Sequence, residues 1–295
     1  MRTRHGAAAV SNRRPRATEA GIPAAIMTVN DPLSAIDQAL AFLRTRIPTP
    51  PDLAIILGSG LGGFADVLSG GVTIASHDIP HYPRSTVEGH KGELVVGTLG
   101  SKQVLAVRGR VHFYESGDLD TVLFPVRLLA ALGARTLVIT NAAGGVNRTF
   151  TPGDLMVLSD QINLTGMRLP LHDRVQWPTA DYYAPRLRSL ALTTAARHRI
   201  RVVSGCYAGV KGPSYETAAE VEMVNRLGGD AVGMSTVMET AMAVALGLDV
   251  LGISCITNKA TGTSPAKLDH AEVTDVANRV KENFSLLLRE IITAL

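Results

Sequence analysis

An α/β domain, with a central mixed β-sheet flanked by helices, is predicted for this 295-residue chain by three observations. Short apolar runs of strand length alternate with stretches of helical periodicity, the order that builds a largely parallel or mixed sheet covered by helices. Hydrophobic residues make up 46% of the chain and charged residues 19%, the latter below the roughly 25% of an average soluble domain. A full core can therefore form without disulfide or metal staples. No internal repeat and no Ser/Pro-rich linker divides the body, so residues 30–295 read as one domain.

The elements follow in order. Asp31-Pro32 is a cap and first-turn pair, and Leu33, Ile36, Leu40 and Leu43 come next at helical spacing. They predict a helix of about four turns that ends before Pro48. Leu53–Leu57 is a continuous apolar run that stops at Gly58, as a strand buried on both faces does. Similar runs predict strands at Val104–Val107, Leu137–Thr140, Leu155–Leu158, Val202–Val210 and Val250–Thr257. Helical stretches lie near Thr121–Leu132, Pro185–His198, Thr217–Leu227 and Met238–Leu246, with a long amphipathic helix over Ala271–Ile292. The least regular stretch, Gly166–Ala184, reads as a surface excursion.

Composition excludes several function classes. The segment 1–26 carries a net +4 and the rest of the chain −1, which together make the formal +3, so the basic pI near 9.0 is a property of the tail. With 13 aromatic residues and no Lys/Arg cluster beside them, neither a stacking platform nor a phosphate-tracking stripe for nucleic acid is present. The run Thr240–Asn258 is the nearest approach to a membrane span, but Asp249 stands at its centre; a helix end, a turn at Gly247–Asp249 and a buried strand are expected instead. Cys206 and Cys255 each sit in an apolar run as small core residues, which points to a reducing, cytoplasmic compartment. No apolar run of signal-peptide length opens the chain. Residues 1–29 are expected to form a disordered, dispensable extension, with Met27 as a candidate true start.

Seven polar constellations stand out, five of them just after a predicted strand, where open α/β sheets place their ligands. Gly58-Ser59-Gly60-Leu61-Gly62-Gly63 formally satisfies the dinucleotide glycine pattern. Phe64–Leu68 is followed at once by Gly70-Gly71, however, which leaves no room for the crossover helix, and Asp78 does not stand at a strand end. A turn that offers backbone N–H groups and the Ser59 hydroxyl to another phosphate fits better. Pro83–Gly92 holds Arg84, His90 and Lys91, which taken alone are ordinary loop charges. Arg110 and His112, two residues apart on extended backbone, point the same way and suit a dianion clamp, or equally an exposed hairpin. The small residues after Thr140, Ala142 and Ala143 among them, let a ligand approach the backbone. Glu216 in Lys211–Thr217 doubles as a first-turn acid, and Ser235 in Gly233–Thr236 as a helix N-cap. Thr257-Asn258-Lys259 emerges from the most hydrophobic strand, with His270 some way on. No metal-ligand spacing, Walker lysine motif or nucleophile elbow is present.

In this order, GSGLGGFAD, PRSTVEGHKG, RGRVHFYE, TNAAGGVN, GPSYET, DAVGMST and ITNK resemble the trimeric purine nucleoside phosphorylases, from about Pro32 to the C-terminus. The resemblance implies the nucleoside phosphorylase fold, a homotrimer with active sites near subunit boundaries, and no metal or organic cofactor. It implies phosphate as co-substrate in the cleavage of purine nucleosides to free base and ribose 1-phosphate. Ser59, Arg110, His112, the backbone at Ala142, and Ser235 would hold phosphate, with His90 nearby. Tyr114, Met234 and His270 would border the ribose. Glu216 and Asn258 would hydrogen-bond the purine, Tyr215 and Ala143 would pack on it, and Thr257, Val232 and Lys259 would line or support the base pocket. Asn258, Glu216, His112 and Arg110 would carry the chemistry.

The related methylthioadenosine phosphorylases generally carry Asp where this chain has Asn258, so the resemblance favours inosine, guanosine and their 2′-deoxy forms. Methylthioadenosine or xanthosine phosphorolysis, or binding without catalysis, are the alternatives. The chain departs from the family pattern at Ser116-Gly117-Asp118 and at Met238. It also departs in the excursion Thr165–Tyr183, where no role is assigned to Trp177 or Tyr182.

Overall fold

Leu53–Leu57 forms strand β1, buried along its whole length because both of its faces are covered. It pairs in parallel with β4 (Lys102–Arg108) on one side and β5 (Thr136–Gly145) on the other. The computed structural model describes residues 34–87, 89–168, 181–263 and 270–295, the last span with side chains from residue 275. The expected extension 1–29, the Asp31-Pro32 cap and Trp177 lie outside the described residues.

Beyond β4, two antiparallel strands extend the sheet: β3 (Glu93–Leu99) and then β2 (Ser69–Ala75). Apolar runs do not announce either one. β2 is mostly exposed and opens with two glycines after Ser69, and Gly97 interrupts the apolar sequence of β3. On the other side β5 pairs with β9 (Asp249–Lys259) and with β8 (Ala231–Gly233). β8 pairs with β7 (Val202–Gly209), β7 with β6 (Leu155–Asn163), and β6 returns to β9. The β5–β9 pairing therefore closes five of the nine strands among the described residues into a ring, while β2, β3, β4 and β1 run out from it as an open sheet. The sheet is mixed, as expected.

Strand β5 was expected to end at Thr140, but it continues through Asn141-Ala142-Ala143-Gly144-Gly145. These small residues lack β propensity; the ladder to β9, which shifts register between Ala143 and Gly144, holds them extended.

Helices cover both faces. α1 (Ala35–Arg44), α3 (Leu119–Ala131) and α6 (Val237–Ala245) pack over one core through Leu43, Leu123 and Met242. α4 (Pro185–Arg197) and α7 (His270–Thr293) pack over the other through Leu187, Phe284 and Leu287. The single-turn α2 (Phe113–Ser116) and α5 (Ala218–Arg226) lie near the ends of β4 and β7. α3 starts two residues before its periodicity suggests, because the Asp118 carboxylate accepts from the backbone N–H groups of Asp120 and Thr121. α1 is capped at Ser34 and not at the expected Asp31-Pro32, because the Ser34 hydroxyl accepts from Asp37 N at 3.2 Å. Ser34→Ala is expected to cost about 1 kcal/mol in urea unfolding; an unchanged midpoint would remove the cap from the account. Among the described residues no helix is long and apolar enough to cross a membrane. The Thr240–Asn258 region divides as expected into the end of α6, a turn and β9.

Candidate active site

The glycine turn after β1 lies against β5. A Cβ at Gly58 would come within 2.7 Å of Asn141 Cα, so only glycine lets the two chains approach this closely, and Gly58 N donates to Thr140 Oγ1 at 3.1 Å. The residues after it form a short 3₁₀ turn over Gly62–Val67 that leads straight into β2, so no crossover helix follows the turn. Ser59 Oγ lies 3.2 Å from His90 Nε2. His90 Nδ1 is 2.8 Å from the Arg110 carbonyl, which can only accept. The Arg110 N–H approaches the same nitrogen at 3.3 Å, and the shorter contact to the carbonyl places the proton on Nδ1, so that Nε2 accepts from the Ser59 hydroxyl.

Burial, and then the neighbouring His112, lower the pKa of His90 from 6.5 to about 4. Between those values the unfolded chain binds more protons than the folded one, so this group makes stability fall as pH drops from about 6.5 towards 4. His90→Asn is expected to flatten the pH dependence of the denaturation midpoint across that window. An unchanged slope would contradict the assignment.

Arg110 follows the end of β4 and is 6% exposed. Its Nη1 donates to Ser235 Oγ at 2.8 Å and Thr236 Oγ1 at 3.2 Å and pairs with Glu239 at 3.3 Å, while Nη2 donates to the Thr140 carbonyl at 2.5 Å. This one side chain thus ties β4 to β5 and to the start of α6. Thr236, not Ser235, is the N-cap residue of α6, which leaves Ser235 on the connection from β8. His112 Nδ1 donates to Glu115 Oε1 at 3.0 Å, and its ring stacks between those of His90 and Tyr114, with centroids 5.5 and 5.0 Å away. Burial alone would raise the pKa of Glu115, but hydrogen bonds from His112 and Thr86 outweigh that and hold the carboxyl well below the usual carboxylate range. An anionic Glu115 fixes the His112 ring.

At the opposite end, β9 delivers Asn258, 8% exposed, with its carboxamide oriented by its neighbours. Oδ1 accepts from Thr257 Oγ1 at 2.9 Å and Nδ2 donates to the Lys259 carbonyl at 3.0 Å, which leaves the second Nδ2 hydrogen for a ligand. Lys259 Nζ donates to the carbonyls of Arg148, at 2.8 Å, and Phe150, so this lysine braces the pocket from behind. α5 is capped by Thr217 and its first-turn acid is Glu220; Glu216 precedes the helix and is not the first-turn acid. Burial raises the Glu216 pKa.

One cleft of about 250 Å³ brings these ends together. Ser59, Arg110, His112, Tyr114, Ala142, Ala143, Met234 and Ser235 line it together with Tyr215, Glu216, Val232, Thr257 and Asn258. His90 stands behind Ser59. His270 opens α7, and its side chain lies outside the described residues. Tyr182, in the divergent excursion, is half-buried against the core. Sequence reasoning missed Asn141, which also lines the cleft, and the carboxylates of Glu115 and Glu239 that hold His112 and Arg110. The Thr236-x-x-Glu239 spacing of a capping box was the available signal for one of them. Chemically, the cleft has a cationic, hydroxyl-bearing end suited to an anion. The other end carries a carboxylate and a carboxamide suited to a planar heterocycle with donors and acceptors.

Residues 52–293 match the model of the phosphorylase superfamily. The chain is 47% identical over 266 residues to purine nucleoside phosphorylase 1 of Geobacillus stearothermophilus, covering 88% of this chain and 97% of that one. It is 45% identical to purine nucleoside phosphorylase 1 of Bacillus subtilis, with 87% and 97% covered. Among solved structures, Schistosoma mansoni purine nucleoside phosphorylase in complex with inosine superimposes with a TM-score of 0.83 at 33% identity, covering 88% of this chain and 96% of that one. With the fold, the cleft and these likenesses in agreement, the chain belongs to the purine nucleoside phosphorylase family of the phosphorylase superfamily.

Proposed function

We propose that this chain catalyses the reversible phosphorolysis of inosine, guanosine and their 2′-deoxy forms to the free purine and (deoxy)ribose 1-phosphate. In this reading it works as a cytoplasmic homotrimer, with inorganic phosphate as co-substrate and without metal or organic cofactor. The observation that carries the reading is the single cleft joining Ser59, Arg110, His112 and Ser235 at one end to Glu216 and Asn258 at the other. Relatives solved with inosine, guanosine and hypoxanthine support it.

Phosphate held by Arg110, His112, the Ser235 hydroxyl and the Ser59 hydroxyl, which turns from His90 Nε2 to the anion, lies under the sugar and attacks C1′. As the bond from C1′ to N9 breaks, its electron pair passes to the purine and positive charge grows on the ribosyl ring. The phosphate stabilises that charge and then forms the new C1′–O bond. The free hydrogen of Asn258 Nδ2 meets the charge arriving at N7, and Glu216 accepts from N1–H of a 6-oxopurine. The purine leaves neutral by taking up, through solvent, the proton that hydrogen phosphate gives up on becoming the sugar phosphate. This is positioning and charge stabilisation, with no covalent enzyme intermediate. Tyr114 and Met234 border the ribose, and the family resemblance assigns His270 to the 5′-hydroxyl.

The test is base release from inosine, guanosine, adenosine and methylthioadenosine, each with and without phosphate. Phosphate-dependent release from inosine and guanosine is expected. Preference for an adenine nucleoside would overturn the roles given to Glu216 and Asn258, and adenosine is included because a solved relative holds it. Absence of release from all four would favour binding without catalysis.

A further inference from the structure

Behind the anion end of the cleft stands a carboxylate that the proposed substrates would not touch. Glu239 lies in the first turn of α6 and is 3% exposed. Its Oε2 is 3.3 Å from Arg110 Nη1 and accepts from Thr236 N at 2.8 Å. Thr236 is held at φ +75°, a left-handed conformation that a β-branched residue takes only when its surroundings impose it. The same carboxylate thus fixes the turn that presents Ser235 and faces the guanidinium beside it. Arg110 has further anchors in Ser235, Thr236 and the Thr140 carbonyl, so its direction does not depend on Glu239 alone. What Glu239 alone supplies among these contacts is a full negative charge.

We propose that Glu239 is a positioning residue that sets the strength of phosphate binding, by acting as the internal counter-ion of Arg110. The proposal rests on the assignment of phosphate to Arg110 made above. A phosphate dianion and the Glu239 carboxylate share one guanidinium, and their mutual repulsion across it is strong because the pair is buried. Phosphate is thereby held firmly enough to be oriented and loosely enough to leave as the sugar phosphate. An uncompensated Arg110 would bind the anion more tightly and would be less stable when empty.

The experiment compares Glu239→Gln with the wild-type enzyme. The amide keeps an acceptor for Thr236 N and removes the charge. Calorimetric titration with inorganic phosphate is expected to show binding about tenfold tighter in the variant. KM for phosphate should fall while KM for inosine stays within about twofold, and kcat should drop as sugar-phosphate release slows. The empty variant should melt below wild type and recover in saturating phosphate. A purely structural role moves KM for phosphate the other way, so equal or weaker phosphate binding by Glu239→Gln overturns the proposal. If that variant does not fold, Glu239→Asp decides, since it withdraws the charge by one methylene: tighter phosphate binding than wild type supports the proposal, and equal or weaker binding overturns it. Failure of the wild-type enzyme itself to bind phosphate would instead overturn the assignment to Arg110, and this inference with it.

Discussion

Arg110→Met is expected to lower kcat/KM for phosphorolysis by roughly 10³-fold or more, with the loss appearing in KM for phosphate as well as in kcat. Methionine matches the length of the arginine stem but offers no donor to an anion. The substitution also strands Glu239, which is 3% exposed, and a buried charge without its partner costs about 3–5 kcal/mol. Lost activity and lost stability would therefore arrive together. The double variant Arg110→Met with Glu239→Gln separates them, because it removes both charges at once. Thermal unfolding should return most of the way towards wild type in the double variant while activity stays lost. Activity retained in the single variant would show that phosphate is held elsewhere.

The second large effect is expected at Asn258. Asn258→Ala should reduce kcat by about 10²–10³-fold, the range seen when one preorganised donor to a developing anion is removed. KM for phosphate should stay near wild type, because Arg110 reaches β5 at the Thr140 carbonyl while Asn258 pairs with Gly144, further along that strand. Asn258→Asp asks a sharper question. Thr257 Oγ1 can donate to either an amide or a carboxylate oxygen, so that orienting contact survives, while the donation from Nδ2 to the Lys259 carbonyl is lost. The donor to N7 is lost and an acceptor takes its place, which suits a base protonated at N7 and bearing a 6-amino group. Inosine cleavage should collapse and the ratio of adenosine to inosine turnover should rise. A uniform loss on both nucleosides would mean that Asn258 does not read the base.

Much of the sheet was legible because its central strands are buried on both faces and so appear as continuous apolar runs, as β1 and β9 do. β2 escaped because an exposed strand at the edge of a sheet needs no such run, and the buried, internal β3 escaped because Gly97 cuts its apolar run short. The tail of β5 escaped for a different reason: Asn141 to Gly145 are extended only by virtue of the ladder to β9, a tertiary effect that local composition does not record. The candidate site followed the same division. Residues that present a side chain at a strand end, such as Arg110, Ser235 and Asn258, could be picked out as polar groups just after apolar runs. Glu115 and Glu239 act by holding other side chains, and the pairing of Arg110 with Glu239 joins residues far apart in the chain. The hydrogen-bond partners that fix the tautomer of His90 and the orientation of Asn258 became visible only in the folded structure.

The most direct measurement is to incubate the enzyme with inosine in oxygen-labelled inorganic phosphate, and in phosphate-free buffer, and to identify the sugar product of each. Ribose 1-phosphate with the labelled oxygen in its bond to C1′, formed together with hypoxanthine, and no base released without phosphate, is the expected result. Hypoxanthine released equally fast without phosphate, with free ribose as the sugar, would make water the nucleophile and contradict the role given to Arg110, His112 and Ser235.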